Sequence, residues 1–227
     1  MKVSFLIPAY NEAGTIEGVI QRVQVLPFDK QLIVIDDGST DETPAILERL
    51  AAEHANLVVI SQPNRGKGAA LRVGIEHIDG DVVVIQDADL EYDPGDVPGL
   101  IEPILQGVAD VVYGSRLMGG RPQRVHLYWH RLGNQFLSML AGVLYNTTLS
   151  DIETGYKAFR SEVLRSLELR EDDFAIEPEI TGRICKQDLR IYELPISYYG
   201  RTYAEGKKIT WRDGFKAVRV LIRVRVS

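Results

Sequence analysis

Two aspartates, Asp87 and Asp89, stand two positions apart at the close of the branched apolar run Val82-Val83-Val84-Ile85. If the backbone stays extended there, both carboxylates point hard oxygen ligands into one space. Like charges held that close repel unless a cation sits between them, and Mg²⁺ or Mn²⁺ bridging a diphosphate suits such a site. The alternative is a pair of solvated loop acids or helix caps, and a further acidic pair makes that less economical: Asp36-Asp37 closes another apolar run, and Pro8-Ala9-Tyr10-Asn11-Glu12 closes a third. Gly66-Lys67-Gly68-Ala69-Ala70 opens a helical pattern, where small residues and backbone N–H groups would let a phosphate or ribose approach. It is not a GxxxxGK[ST] loop, because Gly68 follows Lys67, and Leu71 stands where the dinucleotide fingerprint has its last glycine. A Rossmann oxidoreductase nevertheless stays open on these residues alone.

Such residues must be held by a scaffold, and the chain alternates its patterns accordingly. Val3–Pro8, Leu32–Asp36, Leu57–Ser61, Val82–Asp87 and Asp110–Tyr113 are short and nearly all apolar, which predicts parallel strands buried on both faces. Between them Glu12–Leu26, Asp41–His54, Gly66–Ile78 and Asp96–Gln106 carry helical spacing; Pro44 falls in a first turn. This order predicts an α/β fold with right-handed crossovers, whose ligands collect beyond the carboxyl ends of the strands, where the acids lie. The later part reads as a helix over Leu127–Tyr145, a loop at Ser150–Gly155, a helix over Glu177–Lys186, a strand at Ile191–Tyr199 and a basic terminal helix from Trp211. We expect one unit: a domain over 1–210 and, as part of it, a basic amphipathic helix over 211–227.

With 227 residues, 45% hydrophobic and 26% charged, the chain can bury about 70–75% of its unfolded surface without staples. Cys185 is its only cysteine, so a disulfide framework is excluded. No secretory h-region and no apolar run of bilayer length are visible, and a cytoplasmic location, peripheral to the inner face of a membrane, is the expectation. The net charge of −6 is uneven: residues 200–227 hold eight Lys or Arg against Glu205 and Asp213. Residues 111–150 lack any acid but contain Arg116, Arg121, Arg124, His126, His130 and Arg131. Both regions suit anions, phosphate or an anionic membrane surface, or are solvated basic faces. The acidic total argues against a nucleic-acid partner.

In order, IPAYNE, IDDGST, NRGKGAA, QDADLE, GSR, DIETGYKAF, FAIEPEIT and YYGRTYAEGKK resemble glycosyltransferase family 2, in particular its polyprenyl-phosphate (dolichol-phosphate) mannose and glucose synthases. The resemblance spans about Lys2 to Trp211. It implies a GT-A fold, a Rossmann-like, mostly parallel sheet flanked by helices, together with a nucleotide-sugar donor, a divalent metal and inversion at the anomeric centre. It further implies that Pro8, Ala9, Tyr10 and Glu12 line the base and ribose pocket, that Asp36 or Asp37 holds the nucleoside, and that Gly66, Lys67 and Gly68 approach the donor. Asp87, Ala88 and Asp89 match the DXD motif; Asp89 is the better metal contact, Asp87 serves ribose or metal, and Glu91 is a third carboxylate for the metal shell. Arg116, Arg131, Arg201 and one of Lys207 or Lys208 resemble phosphate-holding positions. Thr154, Gly155 and Lys157 match a loop near the sugar, and Glu177 or Glu179 would touch sugar hydroxyls or serve as a cap or surface residue.

A lipid phosphate acceptor is already ionised near neutral pH and needs no strong base, whereas a hydroxyl acceptor needs a carboxylate within about 2.6–3.2 Å of its proton. The basic, acid-free segment suits the former. Transfer to a hydroxyl and a nucleotide-sugar-binding regulator without turnover remain alternatives. A lipid acceptor would also bring membrane contact through Leu132, Phe136, Met139, Leu140, Val143 and Leu144 and through Phe215, Val218, Leu221 and Ile222. Alternatively both helices pack on the core or on a second subunit, so a homodimer is left open.

Overall fold

The computed structural model describes residues 1–125, 128–201 and 211–227, with the side chains of all of these but 211 and 212. Of the expected phosphate-holding residues, Lys207 and Lys208 lie outside the described residues, as does His126. The first half alternates as its patterns require: β1 (Lys2–Ala9), α1 (Ile16–Gln24), β2 (Asp29–Asp36), α2 (Thr43–Glu53), β3 (Leu57–Ser61), α3 (Lys67–Ile75), β4 (Val82–Ile85), α4 (Val97–Leu105) and β5 (Val111–Ser115). The second half contains α5 (Tyr128–Tyr145), β6 (Lys157–Arg160), α6 (Ser161–Ser166), α7 (Ile176–Cys185), β7 (Ile191–Pro195) and α8 (Trp211–Val226).

The strands form one sheet in the order β3-β2-β1-β4-β6-β5-β7. All pairings are parallel except those of β6, which runs antiparallel to both β4 and β5. Successive side chains of β1 serve opposite faces: Phe5 and Ile7 join one core with Ile16, Ile20 and Leu100, while Leu6 joins the other with Ile35, Leu71 and Ile180. Burial on both faces is why β1, β2 and β4 read as nearly all apolar, whereas the edge strand β3, expected to be buried on both faces, is only partly covered. This mostly parallel sheet with helices on both sides agrees with the expected α/β class.

Two expectations are corrected. The strand β4 stops at Ile85 rather than Asp87, so the acidic pair rides on a turn in which Leu90 takes φ 59° and the Asp89 carboxylate accepts from the Glu91 amide at 3.0 Å. The strand β6 and helix α6 were not foreseen, because Lys157-Ala158-Phe159-Arg160 begins and ends in charge. Helix α8 lays Ala217, Val220, Leu221 and Val224 into the body, beside α7 and α5, and the Tyr145 hydroxyl donates to the Leu221 carbonyl at 2.6 Å. Leu221 is therefore core rather than surface. Phe215 and Ile222 on α8 are exposed, as are Trp129, Leu132, Phe136, Met139 and Val143 on α5.

Candidate active site

Beyond the carboxyl ends of β1, β2 and β4 opens a cleft of about 730 Å³, within the usual range of small-molecule sites. It is lined by Pro8, Ala9, Tyr10, Glu12 and Asp37 after β1 and β2, by Lys67, Asp87, Ala88, Asp89 and Glu91 around the DXD turn, and by Arg116, Arg124, His130 and Arg131 from the acid-free segment. Most of the expected residues thus share one space, with Gly66, Gly155, Glu177 and Arg201 among them.

The site divides at the DXD pair. Asp87 lies 2.7 Å from the Lys67 ammonium, which is also 2.9 Å from Glu177, and Glu177 in turn pairs with Lys157. Burial opposes charge on Lys67, yet Asp87 and Glu177 outweigh it and raise the ammonium's pKa. Burial likewise resists ionisation of Glu177, but Lys157 and Lys67 win and hold it below the usual carboxylate range. Gly155 lets this chain close, since a Cβ there would strike the Asp87 carboxylate and come within 2.9 Å of the Lys67 nitrogen.

Asp89 has a different neighbourhood. Arg201 reaches Asp89 at 2.8 Å, Glu12 at 3.1 Å and Glu91 at 3.4 Å, so one guanidinium serves three carboxylates. Burial, then the like charges of Asp87 and Glu91, push the Asp89 carboxyl up to about 7 against the pull of Arg201. Hard carboxylate oxygens suit Mg²⁺ or Mn²⁺, which is commonly held by one or two carboxylates with substrate phosphates completing the shell. Asp87 and Asp89 supply such a pair. Glu91 is spent elsewhere: its carboxylate accepts from the Tyr198 hydroxyl at 2.7 Å and from the Arg201 amide at 2.8 Å. Among the described residues no three His, Cys, Asp or Glu side chains converge as a ready-made metal cage.

Several expected residues sit elsewhere. Asp36 is buried behind the cleft and caps the Ser39 amide at 3.1 Å, whereas Asp37 lines it and accepts from Gln62, Arg65 and Gly66 at 2.6, 2.9 and 2.7 Å. The glycines of the GKG segment admit protein instead of phosphate: a Cβ on Gly66 or Gly68 would collide with the backbone at Glu171 and Asp172, and the Ala69 amide donates to the Asp172 carbonyl at 3.0 Å. Gly68 does not line the cleft. Thr154 and Lys157 also face inward: the Thr154 hydroxyl accepts from the Tyr156 amide at 3.2 Å, and the Lys157 ammonium is fully buried 4.9 Å above the Tyr113 ring. Burial lowers its pKa despite Glu177. Glu179 points away from the cleft and accepts from the Arg170 and Glu171 amides and from Arg183 at 2.8, 2.7 and 2.9 Å. Arg116 lines the cleft, but its Nε and Nη2 each meet the buried Asp151 carboxylate at 2.7 Å, and its guanidinium lies 5.3 Å from the Tyr198 ring centre.

Glu153 and Tyr198 line the cleft without having been singled out. Glu153 falls inside DIETGYKAF, where the alternation of a turn entering a strand is the signal that would have exchanged it for Thr154.

A model of glycosyl transferase family 2 matches residues 4–167. Glycosyltransferase AglJ of Haloferax volcanii is 34% identical over 88% of this chain, and the dolichol-phosphate mannosyltransferase of Pyrococcus furiosus is 30% identical over 91%. The chain spans 63% and 59% of those two relatives. The crystal structure of glucosyl-3-phosphoglycerate synthase from Mycobacterium tuberculosis, in complex with Mn²⁺, UDP and glucosyl-3-phosphoglycerate, superposes with a TM-score of 0.73. It covers 98% of this chain and 78% of its own at 24% identity, a likeness of fold.

Proposed function

This chain belongs to glycosyl transferase family 2, and on that premise we propose that it is an inverting hexosyltransferase. It would move a hexose from a nucleoside-diphosphate sugar of the GDP-mannose or UDP-glucose type to a polyprenyl phosphate. The observation that carries this reading is the contrast of charge within one cleft. Asp87 and Asp89 line it at the DXD turn, while Arg124, His130 and Arg131 line it from the acid-free segment 111–150. A diphosphate with its cation suits the acids, and a phosphate monoester suits the basic residues. The Pyrococcus relative's name supports the acceptor class, and the mycobacterial complex with Mn²⁺ and UDP supports the donor and metal class.

Asp87 and Asp89 would hold the Mg²⁺ or Mn²⁺, which when bound supplies positive charge to the departing diphosphate. The protein's own residues do the positioning. Lys67 fixes the Asp87 carboxylate, Arg201 orients Asp89 and Glu12, and Pro8, Ala9, Tyr10 and Asp37 form the nucleoside end of the cleft. Arg131 and Arg124 hold the acceptor's charge, and its ionised oxygen attacks without a general base.

A lipid acceptor is met at a surface. No helix among the described residues is long and apolar enough to cross a membrane, so contact would be peripheral, at the inner face. The exposed Trp129, Phe136 and Met139 of α5 and Phe215 and Ile222 of α8 would enter the headgroup region, with Arg219, Arg223 and Arg225 beside them. In this reading 1–210 and 211–227 act as one unit. Trp129→Ala combined with Phe136→Ala should reduce flotation with anionic vesicles about tenfold, and unchanged flotation would remove the membrane from the proposal.

The decisive experiment is a panel of GDP-mannose, UDP-glucose and UDP-N-acetylglucosamine with Mg²⁺ or Mn²⁺, scored for nucleoside diphosphate release. The expected result is release stimulated by a short-chain polyprenyl phosphate. Efficient transfer to a neutral hydroxyl acceptor, with none to the lipid phosphate, would overturn the acceptor assignment.

A further inference from the structure

Glu153 is the tip of the turn between α5 and β6, and that turn is pinned on both sides. The Ser150 and Asp151 amides donate to Glu193 at 2.9 and 3.1 Å, the Ile152 amide donates to Ser138 at 3.2 Å, and the Gly155 amide donates to the Tyr92 hydroxyl at 3.0 Å. The side chain between these anchors lines the cleft, and its Oε1 is buried with no hydrogen-bond partner among the described residues. The cations closest in charge to it are already committed: Arg116 to Asp151, and Lys157 to Glu177. Burial, then Glu177, drive the Glu153 carboxyl up to about 7.

A buried acceptor without a donor is a cost to the free protein that a ligand's donor relieves. A phosphate oxygen, ionised near neutral pH, cannot be that donor. A neutral hydroxyl can donate. Gly155, two residues on, packs against Asp87, which places the Glu153 turn on the DXD side of the cleft, where the sugar of a nucleotide-sugar would lie. We propose that Glu153 is a specificity-determining residue whose partnerless oxygen accepts a hydrogen bond from a hydroxyl of the donor hexose. This rests on the reading of the cleft as a nucleotide-sugar site.

The test is calorimetric titration of wild type, Glu153→Ala and Glu153→Gln with UDP-glucose, GDP-mannose, UDP and GDP in the presence of Mg²⁺. Glu153→Ala should weaken the hexose nucleotide that wild type prefers about tenfold and leave the matching nucleoside diphosphate within about twofold, with Glu153→Gln intermediate. Monodeoxy analogues of that donor should then show one hydroxyl whose removal harms wild type about tenfold but Glu153→Ala hardly at all. Equal weakening of the nucleoside diphosphate and the hexose nucleotide would overturn the proposal in favour of a structural role. Unchanged binding with a fall in kcat would overturn it in favour of a general base. A full deoxy penalty at every position in Glu153→Ala would also overturn it. If wild type binds UDP or GDP without gaining from the hexose, this inference fails while the nucleotide site stands; if it binds no nucleotide, the underlying reading fails first.

Discussion

Asp87 and Asp89 belong to one three-residue motif, yet their surroundings in the cleft are built on opposite electrostatic plans. On the Asp87 side, acids and bases alternate in the order Asp87, Lys67, Glu177, Lys157, and each buried charge has a partner. On the Asp89 side, Glu12, Asp89 and Glu91 all reach the guanidinium of Arg201 among the described residues. A compensated buried chain fixes geometry, because breaking it exposes a charge to a medium that cannot solvate it. Burial and neighbouring like charge do the reverse: they hold the Asp89 carboxyl near 7 and favour a cation. The two acids of one motif thus differ in setting: Asp87 is fixed by the scaffold through Lys67, and Asp89 sits among like charges that a cation would relieve.

The largest expected effect tests that difference at Asp89. Asp89→Asn should lower nucleoside diphosphate release at least about 10³-fold by removing a ligand for the charge-stabilising metal. It should leave the melting temperature at pH 8 unchanged or higher, since the substitution deletes a charge that burial, Asp87 and Glu91 already disfavour. Turnover measured beside differential scanning calorimetry checks both halves. Preserved turnover would mean that Asp89 does not hold the metal.

Next in size is the other side. Lys67→Met leaves Asp87 and Glu177 buried without their shared cation and should cost about 3 kcal/mol in urea unfolding. Arg201→Met should cost less, because Arg201 reaches further into solvent than Lys67. Should Arg201→Met prove the more destabilising, the Asp87 and Asp89 sides would have to exchange roles.

The same contrast explains what the sequence makes legible. Strands β1 to β4 announce themselves because their runs are nearly all apolar, and the acids at or just past the ends of β2 and β4 are visible for that reason. What stays hidden depends on partners far along the chain. Lys157 makes β6 look like a loop, since its ammonium is tolerable in the sheet only beside Glu177, 20 residues later. Gly68 reads as an approach for phosphate, although its missing side chain makes room for the Glu171 backbone. Glu177 and Glu179 are indistinguishable by type and near in spacing, yet the rotation of about 200° between them on the helix sends the first to Lys67 and the second to Arg183. Arg116 matches a phosphate-holding position by motif, and only the fold reveals that Asp151 engages two of its nitrogens.

The smallest effect sharpens the comparison by pH, using Glu153 and Glu177 as a matched pair of cleft glutamates. Glu153 is raised from 4.5 to about 7, so the folded state binds its proton more tightly than the unfolded chain does. Its contribution to stability is complete below pH 4.5 and is lost as pH climbs through 7. Glu177 is lowered from 4.5, so its contribution is present above that value and disappears on acidification through its depressed pKa. Glu153→Gln should therefore be more stable than wild type at pH 8, by about 1–3 kcal/mol, with the advantage vanishing near pH 4. Glu177→Gln should be less stable than wild type at pH 8, and its deficit should shrink toward pH 3. Urea midpoints across that range decide the matter: parallel curves for the two variants would show that the cleft does not distinguish its glutamates, whereas opposed slopes would show burial and like charge acting on Glu153 as they do on Asp89.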